Sequence, residues 1–309
     1  MSSKNPGKKL SKPSPLVVAC LGPEGTFSHL LARKRFGASA SVKTLPDLGA
    51  VFDFLHESPG SFAIVPVENS SGGTIYDTVD LLIKHAEKLV VHEDLALDVR
   101  TGLLGKKGRP VRRVYSHFAP LHHHREWLLK KFPGVVLEAV SSTAVAAALA
   151  AKTADSAALA SPGAAALYGL DVLKFPLRPE AVNVTRFYTI GLAPQTLPVE
   201  HTRPQSSTTL LKTALVVRLK NECGSLYRFL GPFARSAVNL RMIVSRPVAG
   251  HPETYVFFVE VEGDPKAPAL SRALKNATKS CDSIRVLGPF PGGGGLVRLS
   301  RTRTRSFQK

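Results

Sequence analysis

Residues 62–84, FAIVPVENSSGGTIYDTVDLLIK, run from an apolar stretch through a turn of small and hydroxylated residues into an amphipathic helix. FAIVPVE (62–68) has the continuous, β-branched apolar character of a strand covered on both faces. NSSGGT follows, and Ile75, Val79, Leu82 and Ile83 then recur at helical spacing. The same unit recurs along the first part of the chain. VVACL (17–21) leads into GPEGTFS and a helix through Leu30, Leu31 and Phe36. RVYSH (113–117) precedes a helix near Leu121–Phe132, and VVLEAV (135–140) precedes SSTAVAAALAAK. This alternation predicts an α/β domain with parallel layers over residues 16–193.

Residues 194–209 are polar, contain Pro204 and read as a linker. Beyond them KTALVVRL (212–219) reads as a strand and GSLYRFLGPFARSA (224–237) as a helix. NLRMIVSRPV (239–248) and ETYVFFVEVE (253–262) read as paired strands, followed by a helix near Pro268–Thr278 and a last strand, SIRVLG (283–288). The order β-α-β-β-α-β predicts a ferredoxin-like α+β domain over 210–291. A domain this small is expected to leave a sheet face or edge for pairing with a second copy. Gly292–Gly295 are expected to release a flexible basic tail, 292–309, that matches the basic segment 1–15 at the other end.

The composition is globular, with 44% hydrophobic and 21% charged residues in 309. No run approaches the ~20 apolar residues of a membrane-spanning helix, so no membrane partner is expected. The basic N-terminus lacks a following apolar region, which argues against a secretory signal. Cys20, Cys223 and Cys281 are too dispersed for a zinc ribbon or a redox pair and fit a cytoplasmic protein. The formal charge is +18, but nine of those charges belong to the terminal segments 1–14 and 296–309, which contain no acid. Without a basic recognition helix or an aromatic stacking strand, no specific nucleic-acid partner follows. His117 and His122–His124 form the densest histidine group. Consecutive histidines point around a helix, so a solvated turn is expected there and no metal site.

Chemistry is expected at the strand-to-helix turns. Thr26 and Ser28, then Ser70, Ser71 and Thr74, then Ser116, then Ser142 and Thr143 stand where helices begin. Each alone is a good N-cap. Together they place spare donors along one edge of an α/β fold, where helix N-termini and strand ends gather anionic ligands. A small polyanion between two lobes is the ligand class this pattern predicts.

GPEGTFS (22–28), VPVENSSGG (65–73), YSH (115–117), SSTAVAA (141–147), ALYGL (166–170) and NVTRF (183–187) together resemble the prephenate dehydratase family. CGSLYRFL (223–230), NLRMIVSRP (239–247) and YVFFVEVEG (255–263) resemble the ACT regulatory domain of the same enzymes. The resemblance implies a two-lobed, periplasmic-binding-protein-like (type II) catalytic domain followed by the ferredoxin-like ACT domain. It further implies conversion of prephenate to phenylpyruvate, water and carbon dioxide without metal or organic cofactor. L-Phenylalanine would be an inhibitor bound between paired ACT domains, in a homodimer or homotetramer. Arogenate dehydratase, or a non-catalytic sensor of aromatic acids, are the alternative activities.

Carried over by motif, Thr185, Arg186 and Phe187 are implied to be catalytic. Thr26, Asn69, Ser70, Ser116, Ser142, Thr143 and Asn183 are implied to bind substrate, and Gly224, Leu226, Asn239, Ser245 and Arg246 to bind the effector. Two carboxylates on prephenate call for cationic or N–H donors, a role expected of Arg186 and the helix starts. Hydroxide is a poor leaving group, so Thr185 is expected to deliver a proton to it. Two departures from the family pattern stand out. Ala119 replaces a usual glutamine, which removes a donor and an acceptor from the pocket, and Val244 replaces a usual glutamate, which is expected to weaken feedback.

Overall fold

The first lobe starts with alternating strands and helices, as the apolar runs and capped turns require. They are β1 (Val17–Leu21), α1 (Phe27–Phe36), β2 (Ser41–Leu45), α2 (Leu48–Glu57) and β3 (Phe62–Asn69). A short β4 (Gly73–Thr74), α3 (Tyr76–Lys84) and β5 (Leu89–Asp98) complete the run. The chain then crosses into a second lobe with β6 (Gly102–Gly105), β7 (Arg113–Ser116), α4 (Phe118–Lys131), β8 (Val136–Ala139) and α5 (Thr143–Lys152). Next come β9 (Ser156–Ala160), α6 (Pro162–Tyr168) and β10 (Asp171–Lys174), and β11 (Val184–Leu192) returns to the first lobe. The computed structural model describes residues 15–177, 183–198, 210–248, 250–292 and 294–299. Most of the expected linker, at 199–209, and the terminal segments 1–14 and 300–309 lie outside the described residues.

The sheets are mixed, not purely parallel. In lobe one, β1 pairs parallel with β2 and β3, while β11 lies antiparallel between β3 and β5. In lobe two, β7 pairs parallel with β8 and β9, and β6 lies antiparallel to both β9 and β10. The departures from parallel order come where the chain changes lobe, because a strand entering from the other lobe has no crossover helix to set its direction. Tyr168 of lobe two donates its hydroxyl to the Glu24 carbonyl of lobe one at 2.5 Å. Gly25 makes that contact possible. Its φ is +89°, and a Cβ there would stand 3.0 Å from the Tyr168 ring.

The C-terminal domain contains β12 (Leu211–Leu219), α7 (Ser225–Arg235), β13 (Leu240–Val248), β14 (His251–Glu262), α8 (Pro268–Ala277) and β15 (Cys281–Pro291). The sheet order β13-β14-β12-β15 is the ferredoxin-like one. One face packs on α7 and α8 through Phe229, Phe233, Leu270 and Ala273. A face or an edge of this sheet is expected to be available to a second copy, and the second face is taken within the chain. Ala214, Val216, Met242, Val244, Phe258 and Phe290 merge with Phe52, Leu82 and Tyr188 of lobe one into one buried core. The reason is composition: both faces of this sheet are apolar, and lobe one offers an apolar surface of its own to cover the second.

A second difference lies at the C-terminus. The tether expected from Gly292 is short, because β16 (Gly294–Arg298) joins the lobe-one sheet parallel to β5. Val297 and Leu299 pack against the core formed by Leu95, Leu97 and Phe187. Removing residues 294–309 therefore strips an edge strand and two apolar side chains, at ~1–2 kcal/mol each. Thermal unfolding should show Tm lower by about 2–4 °C per kcal/mol lost; an unchanged Tm would place this strand outside the folded unit.

His92, at the centre of β5, sets an acid limit. Its ring meets Phe62 edge-on at 5.1 Å, and its Nε2 is buried without a hydrogen-bond partner. Burial pushes its pKa down to about 4 from an ordinary 6.5, and burial also lowers His29 and His85. The unfolded chain therefore binds protons that the folded chain refuses. Stability is full above pH 6.5 and declines as pH falls towards 4. His92→Gln should flatten the dependence of Tm on pH in this window; the same slope in the variant would acquit His92.

Candidate active site

The two lobes enclose a cleft of about 440 Å³, a size suited to a small organic ligand. Its floor is the pairing of β11 with β3, which sets Thr185 opposite Asn69. Asn69 Nδ2 donates to Thr185 Oγ1 at 2.9 Å and to Asn183 Oδ1 at 2.8 Å. The Asn69 Oδ1 accepts from the backbone N–H groups of Ser71 and Gly72, at 2.9 and 2.8 Å. Those two backbone donors fix which end of the amide is oxygen and which is nitrogen. Thr185 Oγ1 thus already accepts a hydrogen bond, which leaves its own proton to be donated elsewhere. The hydroxyl is a directed donor at the edge of the cleft.

Helix starts surround the rest of the space. Thr26 caps α1 by accepting from the His29 N–H and donates its hydroxyl to the Leu21 carbonyl at 2.8 Å. Ser142 caps α5 by accepting from Val145 N–H at 3.1 Å, and the side chain of His117 caps α4. The walls include Phe27, Ser28, Thr101, Ser141, Thr143 and Phe187. Residues at the starts of three helices stand on this wall, where the helix dipole favours an anion, and none of the described wall residues is a lysine or arginine.

Of the side chains implied by the sequence, Thr26, Asn69, Ser142, Thr143, Asn183, Thr185 and Phe187 line this cleft. Three do not. Ser70 Oγ accepts from the Val184 N–H at 3.0 Å, so it ties β11 to the β3 turn. Ser116 is fully buried at the end of β7 and donates to the Leu159 carbonyl at 2.8 Å, a strand-pinning role. Arg186 extends from the opposite face of β11, because successive residues of a strand alternate sides. It meets Glu68 at 3.0 Å and Asp94 at 2.8 Å, and it is not among the residues that line the cleft. The expectation that it grips a substrate carboxylate is corrected accordingly.

The histidines also differ from the sequence expectation. His122 stacks on Phe118 at the surface, but His123 lines the cleft and His124 is buried there, its Nε2 3.1 Å from Thr101 Oγ1. With His117 they are the only titratable side chains on the described wall. Helical spacing could have found them: His123 and His124 stand four residues after Ala119 and Pro120, one turn along the same side of α4.

The implied effector residues divide. Gly224, with φ of +78°, starts α7, and Leu226 and Ser245 are exposed. Asn239 donates to Glu262 at 3.3 Å. Arg246 is turned to lobe one, where it grips Asp80 at 2.5 and 2.6 Å and lies over the Tyr76 ring. Val244 is buried in the core between the domains. Valine at this position therefore serves packing against lobe one.

Residues 18–195 match the family described as prephenate dehydratase, and residues 213–278 match the ACT domain. A bifunctional chorismate mutase/prephenate dehydratase of Stutzerimonas stutzeri is 35% identical over 91% of this chain and 75% of its own length. Among solved structures, a prephenate dehydratase of Arthrobacter aurescens in complex with L-Phe superposes with a TM-score of 0.76 at 27% identity, covering 89% of this chain and 90% of that one. A protein described as a novel type of quorum quenching acylase superposes at 0.78 with 27% identity, covering 89% and 98%.

Asn69 holds both the turn and Thr185, so its loss should register in stability as well as chemistry. Asn69→Ala removes the acceptor of two exposed backbone donors of the turn, at a cost of about 0.5–1.5 kcal/mol for each hydrogen bond. Urea unfolding should show that loss; an unchanged midpoint would mean the turn holds itself.

Proposed function

The chain belongs to the prephenate dehydratase family, and from that premise we propose that its cleft expels the ring hydroxyl of prephenate with loss of the ring carboxylate. The products are phenylpyruvate, water and carbon dioxide. The observation that carries this reading is the Asn69–Thr185 hydrogen bond at 2.9 Å, which aims the threonine proton away from Asn69. As the C–O bond lengthens, the departing oxygen becomes basic enough to take that proton. Electrons from the breaking C–carboxylate bond move into the ring, which becomes aromatic as carbon dioxide leaves. The starts of α1, α4 and α5 supply N–H donors to the carboxylates, and His117 and His123 supply donors nearby. Phe27 and Phe187 give the ring apolar contacts.

The cleft also bears on the choice between prephenate and arogenate. Arogenate carries an ammonium in place of the side-chain ketone and would call for a carboxylate partner. None of the described wall residues is Asp or Glu, which favours the keto acid. Ala119 leaves open space where a glutamine would stand, and the neighbouring His123 offers a replacement polar group.

Phenylalanine is the proposed effector, acting through the C-terminal domain in a homodimer or homotetramer. The solved relative holding L-Phe and the matched ACT domain support this. No described helix is long and apolar enough to cross a membrane, and a cytoplasmic enzyme is proposed.

The decisive assay follows phenylpyruvate from prephenate, and phenylalanine from arogenate, with purified protein. Prephenate should be turned over and arogenate much more slowly. Thr185→Ala should lower kcat by about 10²–10⁴-fold with little change in KM. Product from neither substrate would favour a sensor, and a Thr185→Ala enzyme with full turnover would remove the threonine from the chemistry.

A further inference from the structure

Four charged side chains close a ring between the domains. Arg186 of β11 and Asp94 of β5 come from lobe one, and Lys212 of β12 and Glu260 of β14 come from the C-terminal domain. Arg186 reaches Asp94 at 2.8 Å and Glu260 at 2.5 Å, and Lys212 reaches Asp94 at 2.7 Å and Glu260 at 2.9 Å. Charges alternate around the ring, and each domain supplies one of each sign. Tyr188 adds its hydroxyl, donated to Glu260. Glu260 is fully buried and Asp94 nearly so.

We propose that Arg186 is a positioning residue that couples the seating of the C-terminal domain to Thr185. The argument rests on one stretch of strand. Thr185 and Phe187 face the cleft, while Arg186 and Tyr188 face Glu260. A shift of β14 relative to lobe one must therefore either break charge-assisted bonds in a buried setting or carry β11 with it. Breaking is the costlier course, since a buried charge left without its partner is strongly unfavourable. A bulge between Arg186 and Phe187 in the pairing with β3 lies at the point where such a shift would be felt. On the other side, β14 pairs with β13, which carries Ser245 and Arg246 of the implied effector segment. The ring thus stands between the two sites, and on this proposal it is the element that both bias.

This inference rests on the proposed dehydratase activity and its response to phenylalanine. It predicts that the effector acts on kcat more than on KM, because it moves the proton donor and not the carboxylate-binding helix starts. The test uses the full chain with Glu260→Gln, which keeps the side chain's shape and removes its charge. Phenylalanine should still bind, measured calorimetrically, while its effect on kcat for prephenate shrinks by about fivefold or more. Arg186→Gln combined with Glu260→Gln should respond no less than either single variant, since both act on one contact. Glu87→Gln, which cuts the exposed contact to Arg285 between the same domains, should keep the full response.

A full kcat response in Glu260→Gln overturns the proposal, as does loss of phenylalanine binding itself, or an equal loss in Glu87→Gln. If Glu260→Gln fails to fold, Tyr188→Phe is judged by the same criteria. Wild-type protein that makes no phenylpyruvate would instead bring down the activity reading on which this one stands.

Discussion

The antiparallel pairing of β11 with β3 is the constraint on which the molecule turns. It brings residue 185 opposite residue 69 within the lobe-one sheet, although the whole of the second lobe lies between them in sequence. The cleft exists because the chain leaves lobe one after β5 and returns to it as β11, so that the lobes are joined at their base. A ligand in the cleft meets the helix starts of both lobes and the floor formed by β3 and β11. Each of these parts is ordinary. Their convergence comes from the crossing strands.

The same strand has a second face, and that face is ionic. Lobe one offers the C-terminal sheet a large apolar surface, with the charged ring embedded beside it. A wholly apolar interface would tolerate small sliding motions. A ring of four alternating charges has a narrow geometric optimum and falls off steeply when displaced. Burial alone would raise the Glu260 carboxyl, but Arg186 and Lys212 hold it below its ordinary value, so it stays charged within the interface. The domain is thereby seated in one defined position against the strand that bears Thr185.

Much of this was legible in the sequence where the signal was local. The strand–turn–helix units and the ferredoxin-like order follow from contiguous residues, and the Asn69, Asn183 and Thr185 positions from the short motifs that carry the family resemblance. What escaped depended on facing. Thr185 and Arg186 are adjacent in a motif, yet a strand sends them to opposite sides; taking both as cleft residues contradicts strand geometry. Ser116 and Ser70 have the right chemistry at the right turns, but their hydroxyls are used by the backbone of neighbouring strands. His123 and His124 were hidden by a run of three histidines whose phase is set only by where α4 begins. The partner of the C-terminal sheet face was undecidable locally, since a second copy and lobe one would both bury the same apolar side chains.

The central claim is that Thr185 delivers its proton to the ring oxygen while helix starts hold the carboxylates. A crystal structure with an unreactive prephenate analogue that retains the ring hydroxyl tests this directly. The account predicts that oxygen at roughly 2.6–3.2 Å from Thr185 Oγ1, with Asn69 still donating to the same hydroxyl and the carboxylates at the starts of α1, α4 or α5. A ring oxygen facing the histidines of α4, beyond hydrogen-bond reach of Thr185, would contradict it.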